Sequence, residues 1–141
     1  MRKNLKIWRP ELCNISKDAK IGDDCIIHSH TIIYDGVKIG DRVKIQAGVF
    51  IPNGTTIGND VFVGPGVLMA NDKNPPSNHR GWDKIFIEDE VSIGIGSIIM
   101  PGITIGRGSI IGAGSLVTKN IPSGEVWIGS PAKFYKEVID L

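Results

Sequence analysis

Val37-Lys38-Ile39-Gly40-Asp41-Arg42-Val43-Lys44-Ile45-Gln46-Ala47-Gly48-Val49-Phe50-Ile51 carries the period that decides the fold. An isoleucine returns at every sixth residue, and a valine stands two places before each one. Stepping outward by six from Ile15 meets Ile21, Ile27, Ile33, Ile39, Ile45, Ile51, Ile57, Val63 and Met69. Pro75 and Gly81 interrupt the ladder, which resumes at Ile87, Ile93, Ile99, Ile105, Ile111 and Val117. Sixteen of eighteen steps are Ile, Val or Met in a chain that is 41% hydrophobic, a pattern that chance does not produce.

Two further columns accompany these rungs. Two residues before a rung the side chain is small or β-branched, as at Ala19, Cys25, Thr31, Val43, Thr55, Val67, Ser97, Ser109 and Ser115. One residue after it Gly is frequent: Gly22, Gly40, Gly58, Gly64, Gly94, Gly106 and Gly112. Side chains alternate along a strand, so the rung and the residue two before it point the same way, into a core. Glycine after the rung reads as a tight turn with positive φ. A helix requires apolar spacings of three and four, which are missing. Each hexad is therefore a short strand plus a turn, and three hexads make one triangular coil of eighteen residues. A coil cannot bury its own face, so the stack is the cooperative unit.

The 141 residues fit one domain with a substantial core. A net charge of +1, with acids and bases interspersed, gives no nucleic-acid or anionic-membrane footprint. The start is basic, but no apolar signal segment follows, and no apolar run approaches a membrane span. A soluble, cytoplasmic chain with neither nucleic-acid nor membrane partners is the expectation. Cys13 and Cys25 form no CxxC pair, and Cys25 occupies a small-residue slot, so both read as reduced packing residues.

The columns resemble the hexapeptide-repeat acyltransferase superfamily, whose fold is the left-handed parallel β-helix. The resemblance implies an all-β chain of hexapeptide repeats with one projecting loop and a short C-terminal helix. The expected organisation is an N-terminal cap over residues 1–14, the β-helix over 15–133 and a cap helix over 134–141. Residues 71–84 break the ladder with two prolines and polar side chains, so they form the loop. Ile87 lies eighteen residues past Met69, which leaves two options: extrusion between adjacent faces, or replacement of a coil. Long loops on rigid scaffolds carry function.

The segment from Ile111 to Pro122, followed by Ile128-Gly129-Ser130-Pro131-Ala132-Lys133, looks like the superfamily's coenzyme A-binding end. Gly94, Gly112 and Ser130 are eighteen apart, as are Ile95, Ala113 and Pro131, so they are expected to stack as a groove of small residues suited to a thin pantetheine arm. Thr118, Lys119 and Lys133 are expected near the nucleotide phosphates, the lysines as point charges. Acetyl-CoA is then the co-substrate, with no metal.

Lys44 to Pro76 resembles the nucleotide-sugar N-acetyltransferases of surface-polysaccharide biosynthesis, which acetylate an amino group on a dTDP- or UDP-linked deoxyamino sugar. In that subfamily the Asn matching Asn71 contacts the acceptor amine. An amine attacking a thioester needs orientation, oxyanion stabilisation and one proton acceptor. Asn71 is expected to orient it, with Asp72 or His79 taking the proton and backbone N–H groups near Gly94 and Ile95 holding the oxyanion. Arg80 and Trp82 in the loop, and His28 and His30 in the second coil, are candidate acceptor contacts. The resemblance also implies a homotrimer with active sites between subunits. Competing readings are O-acetylation of a sugar or other small hydroxyl acceptor, a zinc carbonic anhydrase built on the same fold, and a non-catalytic assembly subunit. The anhydrase needs three converging histidines, and the spacing of the three present does not match that family.

Overall fold

The structure is a computed structural model that describes residues 3–78 and 80–141. Each hexad yields a strand of two or three residues, and the strands form three parallel sheets. The first sheet runs through Lys6–Ile7, Ile26–Ile27, Lys44–Ile45, Phe62–Val63, Ser92–Ile93, Ile110–Ile111 and Glu125–Gly129. The second holds Asn14–Ile15, Ile32–Ile33, Phe50–Ile51, Leu68–Met69, Ile98–Ile99 and Leu116–Val117. Lys20–Ile21, Lys38–Ile39, Thr55–Ile57, Ile85–Ile87 and Thr104–Ile105 make the third. The rungs pair as like with like, Ile27 with Ile45 and Ile33 with Ile51, and from Ile21 through Val117 they are buried. This is the β-helix that the period of six requires.

The small column lies inside as well, and its polar members are satisfied there. Thr31 Oγ1 donates to the Gln46 carbonyl at 3.1 Å, and Ser97 Oγ donates to that of Gly112 at 3.0 Å. The thiols of the same column do likewise: Cys25 Sγ reaches Gly40 O at 3.2 Å and Cys13 Sγ reaches His28 O at 3.4 Å. Both cysteines are free, and burial pushes the Cys25 thiol up, away from the reactive thiolate.

The glycines after the rungs have a different cause from the expected one. None of Gly22, Gly40, Gly58, Gly64, Gly94, Gly106 and Gly112 has positive φ. The left-handed residue is the third after the rung, as at Asp24, Gly36, Arg42, Gly48 and Gly108. The first position is glycine because the next coil presses against it. A Cβ on Gly40 would lie 2.3 Å from Asn59 Oδ1 and 2.8 Å from the Gly58 backbone. At the corner between the third and first sheets the following residue is Asp or Asn in each coil up to Asp89 and Arg107 in the next, and the Oδ1 of Asp41, Asn59 and Asp89 accepts the equivalent N–H one coil below. Asp23 N–H donates to Asp41, Asp41 N–H to Asn59 and Asn59 N–H to Asp89, at 2.8, 2.8 and 2.7 Å.

Three departures from regularity shape the molecule. Across the loop, Ile57 pairs with Ile87, Val63 with Ile93 and Met69 with Ile99, at a separation of thirty instead of eighteen. The loop is therefore extruded as twelve extra residues between the second and third sheets, and no coil is replaced. The last coil is two residues short, since Ile111 pairs with Trp127 and Ile105 bridges Ile121. Consequently Ser130 does not stack on Gly112, nor Pro131 on Ala113. Ile128 covers Gly112 instead, and its Cγ2 would be 2.2 Å from a Cβ there.

The expected C-terminal helix is also corrected. Ala132–Glu137 folds back as a strand antiparallel to Glu125–Gly129, and a single 3-10 turn, Val138–Asp140, ends the chain. An eight-residue helix is marginal alone, whereas the open edge of the first sheet offers backbone partners to a segment carrying Phe134 and Tyr135. At the other end Lys6–Ile7 already belongs to the first sheet, and Leu5, Ile7 and Ile15 pack on the core.

The two glycine positions predict different costs. Gly40→Ala should destabilise by about 2–3 kcal/mol, because it must displace the coil above. Gly108→Ala, whose Cβ would meet nothing within 4 Å, should cost only about 1 kcal/mol for the left-handed backbone. Denaturant unfolding of the two variants measures the difference.

Candidate functional site

The expected site residues lie on two corners, the two edges of the second sheet. The first corner joins the first sheet to the second and stacks Gly64-Pro65-Gly66, Gly94-Ile95-Gly96 and Gly112-Ala113-Gly114. Gly96 N–H donates to Pro65 O at 2.9 Å and Gly114 N–H to Ile95 O at 2.8 Å. A Cβ on Gly66, Gly96 or Gly114 would meet nothing within 4 Å, so the corner is an open strip of backbone. Ile95, 58% exposed, is its one large side chain. The strip's C-terminal end lies under the hairpin turn that holds Pro131, tied down by Gly129 N–H to Ser115 Oγ at 3.2 Å. At its N-terminal end stand His28 and His30. The His28 ring is stacked on Trp8, with centroids 6.2 Å apart and planes 14° from parallel.

The second corner joins the second sheet to the third and carries the loop. Asn71 opens the loop and lies directly above Asn53, one coil below, donating from Nδ2 to the Asn53 carbonyl at 2.9 Å. Its own carbonyl accepts Asp83 N–H at 2.8 Å, which closes the loop's base. Donation fixes the Asn71 amide, leaving Oδ1 as the atom offered to a ligand. Asp72 turns inward. Its carboxylate accepts Ser77 N–H at 2.9 Å and Asn74 N–H at 3.1 Å, and these bonds, with a contribution from the Trp82 side chain, hold its pKa below the ordinary carboxylate value. The group shapes the loop and is correspondingly a weak proton acceptor. Beneath the loop opens a cleft of about 550 Å³ lined by Asn14, Ser16, Tyr34, Asp35, Asn53 and Trp82.

Gly94, Ile95, Gly112, Ala113, Pro131 and Lys133 thus belong to the first corner or the hairpin above it. Thr118 and Lys119 follow the last rung of the second sheet and belong to the second corner, with Asn71, Asp72, Arg80 and Trp82. His79 lies outside the described residues. Within one chain the second sheet separates Lys119 from Lys133 and the loop from the open strip. Tyr34 and Asn53 were missed by sequence reasoning, although the step of eighteen that relates Asn53 to Asn71 is visible in the sequence. No group of three His, Cys, Asp or Glu able to hold a metal occurs among the described residues.

Known proteins supply the context. No curated protein matches the chain. Among solved structures, PerB from Caulobacter crescentus in complex with CoA and GDP-perosamine is similar, with TM-score 0.80 and 24% identity, over 93% of this chain and 57% of that one. The acetyltransferase domain of PglB from Neisseria gonorrhoeae in complex with acetyl coenzyme A follows, with TM-score 0.78 and 22% identity, over 93% and 57%. A single-substitution mutant of AntD, an N-acyltransferase from Bacillus cereus, in complex with dTDP-4-amino-4,6-dideoxyglucose and coenzyme A, has TM-score 0.64 and 21% identity, over 97% and 81%. The chain spans 57% of the length of the first two, and at these identities what is shared is the fold. The family model for the bacterial transferase hexapeptide (six repeats) matches residues 18–53 and 84–119, on either side of the loop, which is half of the chain. With its rungs, corners and extruded loop in that register, the chain belongs to the bacterial transferase hexapeptide family and has its left-handed β-helix.

Proposed function

We propose that the protein is an acetyl-CoA-dependent N-acetyltransferase that acts, as a homotrimer in the cytoplasm, on the amino group of a dTDP- or UDP-linked deoxyamino sugar. The observation that carries the reading is the pairing of an open Gly-X-Gly strip on one edge of the second sheet with the Asn71 loop and its cleft on the other. The strip suits a pantetheine arm, since a Cβ at Gly66, Gly96 or Gly114 would occupy free space beside exposed peptide groups. PerB and AntD, similar in fold, hold coenzyme A together with a nucleotide-linked amino sugar.

The surface between the two edges supports the trimer. Outward positions on the second sheet are Asn14 and then Ile32, Phe50, Leu68, Ile98 and Leu116, with Leu68 47% and Ile98 39% exposed. The equivalent positions of the first sheet mix Lys6 and Lys44 with Ile26, Phe62, Ser92 and Ile110, and those of the third mix Lys20 and Lys38 with Thr56, Phe86 and Thr104. A continuous apolar face of this kind marks an interface. Three copies facing a common axis with this sheet set the strip of each beside the loop of the next. Thr118 and Lys119 of one copy then approach Lys133 of its neighbour, so residues split between two corners serve one site.

In this reading the neutral amine is held by Asn71 Oδ1 and attacks the thioester carbonyl carbon. The glycine N–H groups of the strip are spent between coils, so the backbone N–H of Ile95 or Ala113 stabilises the resulting oxyanion. The C–S bond then breaks, and the amine proton passes to the departing coenzyme A thiolate. Asp72 is tied into the loop, which leaves His79 as the loop residue able to relay that proton. No helix among the described residues is long and apolar enough to cross a membrane.

Three outcomes are expected. Asn71→Ala should lower kcat about tenfold or more, the worth of one lost hydrogen bond, with KM for acetyl-CoA little changed; equal damage to both would displace Asn71 from the acceptor. Asp72→Asn should expose the loop to trypsin at Lys73 and Arg80 while leaving the coils resistant. Because the Asp72 pKa is depressed in the folded loop, its ordering effect is full above the ordinary carboxylate range and is lost as pH falls through the folded value. The wild-type cleavage rate, divided at each pH by that of an unstructured peptide of the loop sequence, should therefore be flat from neutral pH down to about pH 5. Finally, Leu68→Glu with Ile98→Glu should sediment as a monomer with unchanged β-sheet circular dichroism and no transferase activity.

A further inference from the structure

Asp or Asn occupies the second position after the rung at two corners, and the two columns are used differently. Between the third and first sheets, Asp41, Asn59 and Asp89 each give Oδ1 to a backbone N–H of the coil below. Those groups are consumed in holding coils together. At the loop corner the column is Asp35, Asn53 and Asn71, again eighteen residues apart. Within that column, among the described residues, the one intercoil bond made by a side chain toward the backbone is Asn71 Nδ2 to Asn53 O. The Asn53 carboxamide makes no hydrogen bond to the described residues, and the Asp35 carboxylate accepts only the Ser16 hydroxyl.

These groups share one space. Asp35, Asn53 and Ser16 line the cleft of about 550 Å³, and the aromatic residues Tyr34 and Trp82 line it with them. Tyr34 is held in place by its edge-on contact with Phe50, centroids 5.4 Å apart. Coils repeat about every 4.8 Å, so the column presents a carboxylate, a carboxamide and the Asn71 carboxamide over about 10 Å. Aromatic faces with spaced polar acceptors suit a pyranose, which offers C–H faces and hydroxyl edges together. A carboxylate accepts hydroxyl protons and repels phosphate, so the Asp35 end of the column takes the neutral part of such a ligand.

We propose that Asp35 and Asn53 are specificity-determining residues that read the hydroxyl edge of the acceptor sugar, while Asn71 above them takes its amine. This rests on the amino-sugar reading, and its test does not depend on turnover. The intact trimer is titrated calorimetrically with dTDP-, UDP- and GDP-linked 4-amino-4,6-dideoxyhexoses, with the matching free nucleotides, and with coenzyme A. Asp35→Asn and Asn53→Ala should each weaken sugar nucleotide binding about tenfold, one hydrogen bond's worth, and leave the free nucleotide and coenzyme A unchanged. Asp35→Asn preserves shape, and an unchanged melting temperature confirms folding. Unaltered sugar binding in both variants, an equal loss for the free nucleotide, or a wild-type protein that binds none of the sugars more tightly than its nucleotide would overturn the assignment. Wild-type binding that follows the expected pattern without acetylation of the amine would retain the column and refute the transferase reading.

Discussion

Everything in this structure hangs on the hydrogen bond from a backbone N–H in one coil to a carbonyl in the next, as from His28 to Ile45 or Ile32 to Val49, each at 2.9 Å. Parallel pairing at a fixed offset of eighteen demands that every coil have the same outline. A rung must find a rung above it, so Ile answers Ile. A small side chain must find another, because a large one at that slot would reach the neighbouring column. The same offset brings backbone to backbone at the corners, so the residue after the rung loses its Cβ. Gly58 could carry a side chain only by evicting Asp89, whose Oδ1 would lie 2.2 Å from the added carbon. One constraint thus dictates three columns of sequence.

The same rigidity explains where variation is allowed. An insertion inside a strand would shift every rung beyond it, whereas one at a corner shifts nothing if both ends return to register. The loop obeys this: Asp83 N–H bonds Asn71 O across its base, and the chain resumes with Ile85 opposite Thr55. The shortened last coil is the complementary case. It has only one neighbour to match, so losing two residues disturbs no coil beyond it, and the hairpin covers the exposed end of the first sheet.

The period of six made the coils, the core and the loop's limits legible, because each reports a local repetition that the fold cannot hide. What it did not reveal are features set by exceptions. Ile105 to Val117 continues the ladder faultlessly, and nothing before Thr118 announces that the next coil will be short. Extending the eighteen-residue step to Pro131 therefore failed, although the same step held for Gly94 and Gly112. The tail was misread for a related reason: Phe134 to Leu141 is short enough that its conformation depends on the strand edge beside it, which is a property of the whole stack. Positive φ was placed two residues early because the glycine column looks like a turn signal, while its cause is the approach of the coil above.

The two Asx columns show how such a scaffold separates structure from recognition. Both corners place the same residue type at the same step, but the bond to the coil below needs the glycine that follows the rung there: Asn59 Oδ1 would lie 2.3 Å from a Cβ on Gly40, whereas at the loop corner that position is Ser16, Tyr34 or Pro52. Asp41, Asn59 and Asp89 make it; Asp35 and Asn53 do not, and the corner without this bond is the one roofed by the loop. A polar group left out of the intercoil bonding, beside aromatic walls and below a fixed carboxamide, leaves hydrogen-bonding capacity for a ligand to fill. Because the column is built on coils locked by Ile rungs, its acceptors are positioned before any ligand arrives, and binding need not order them.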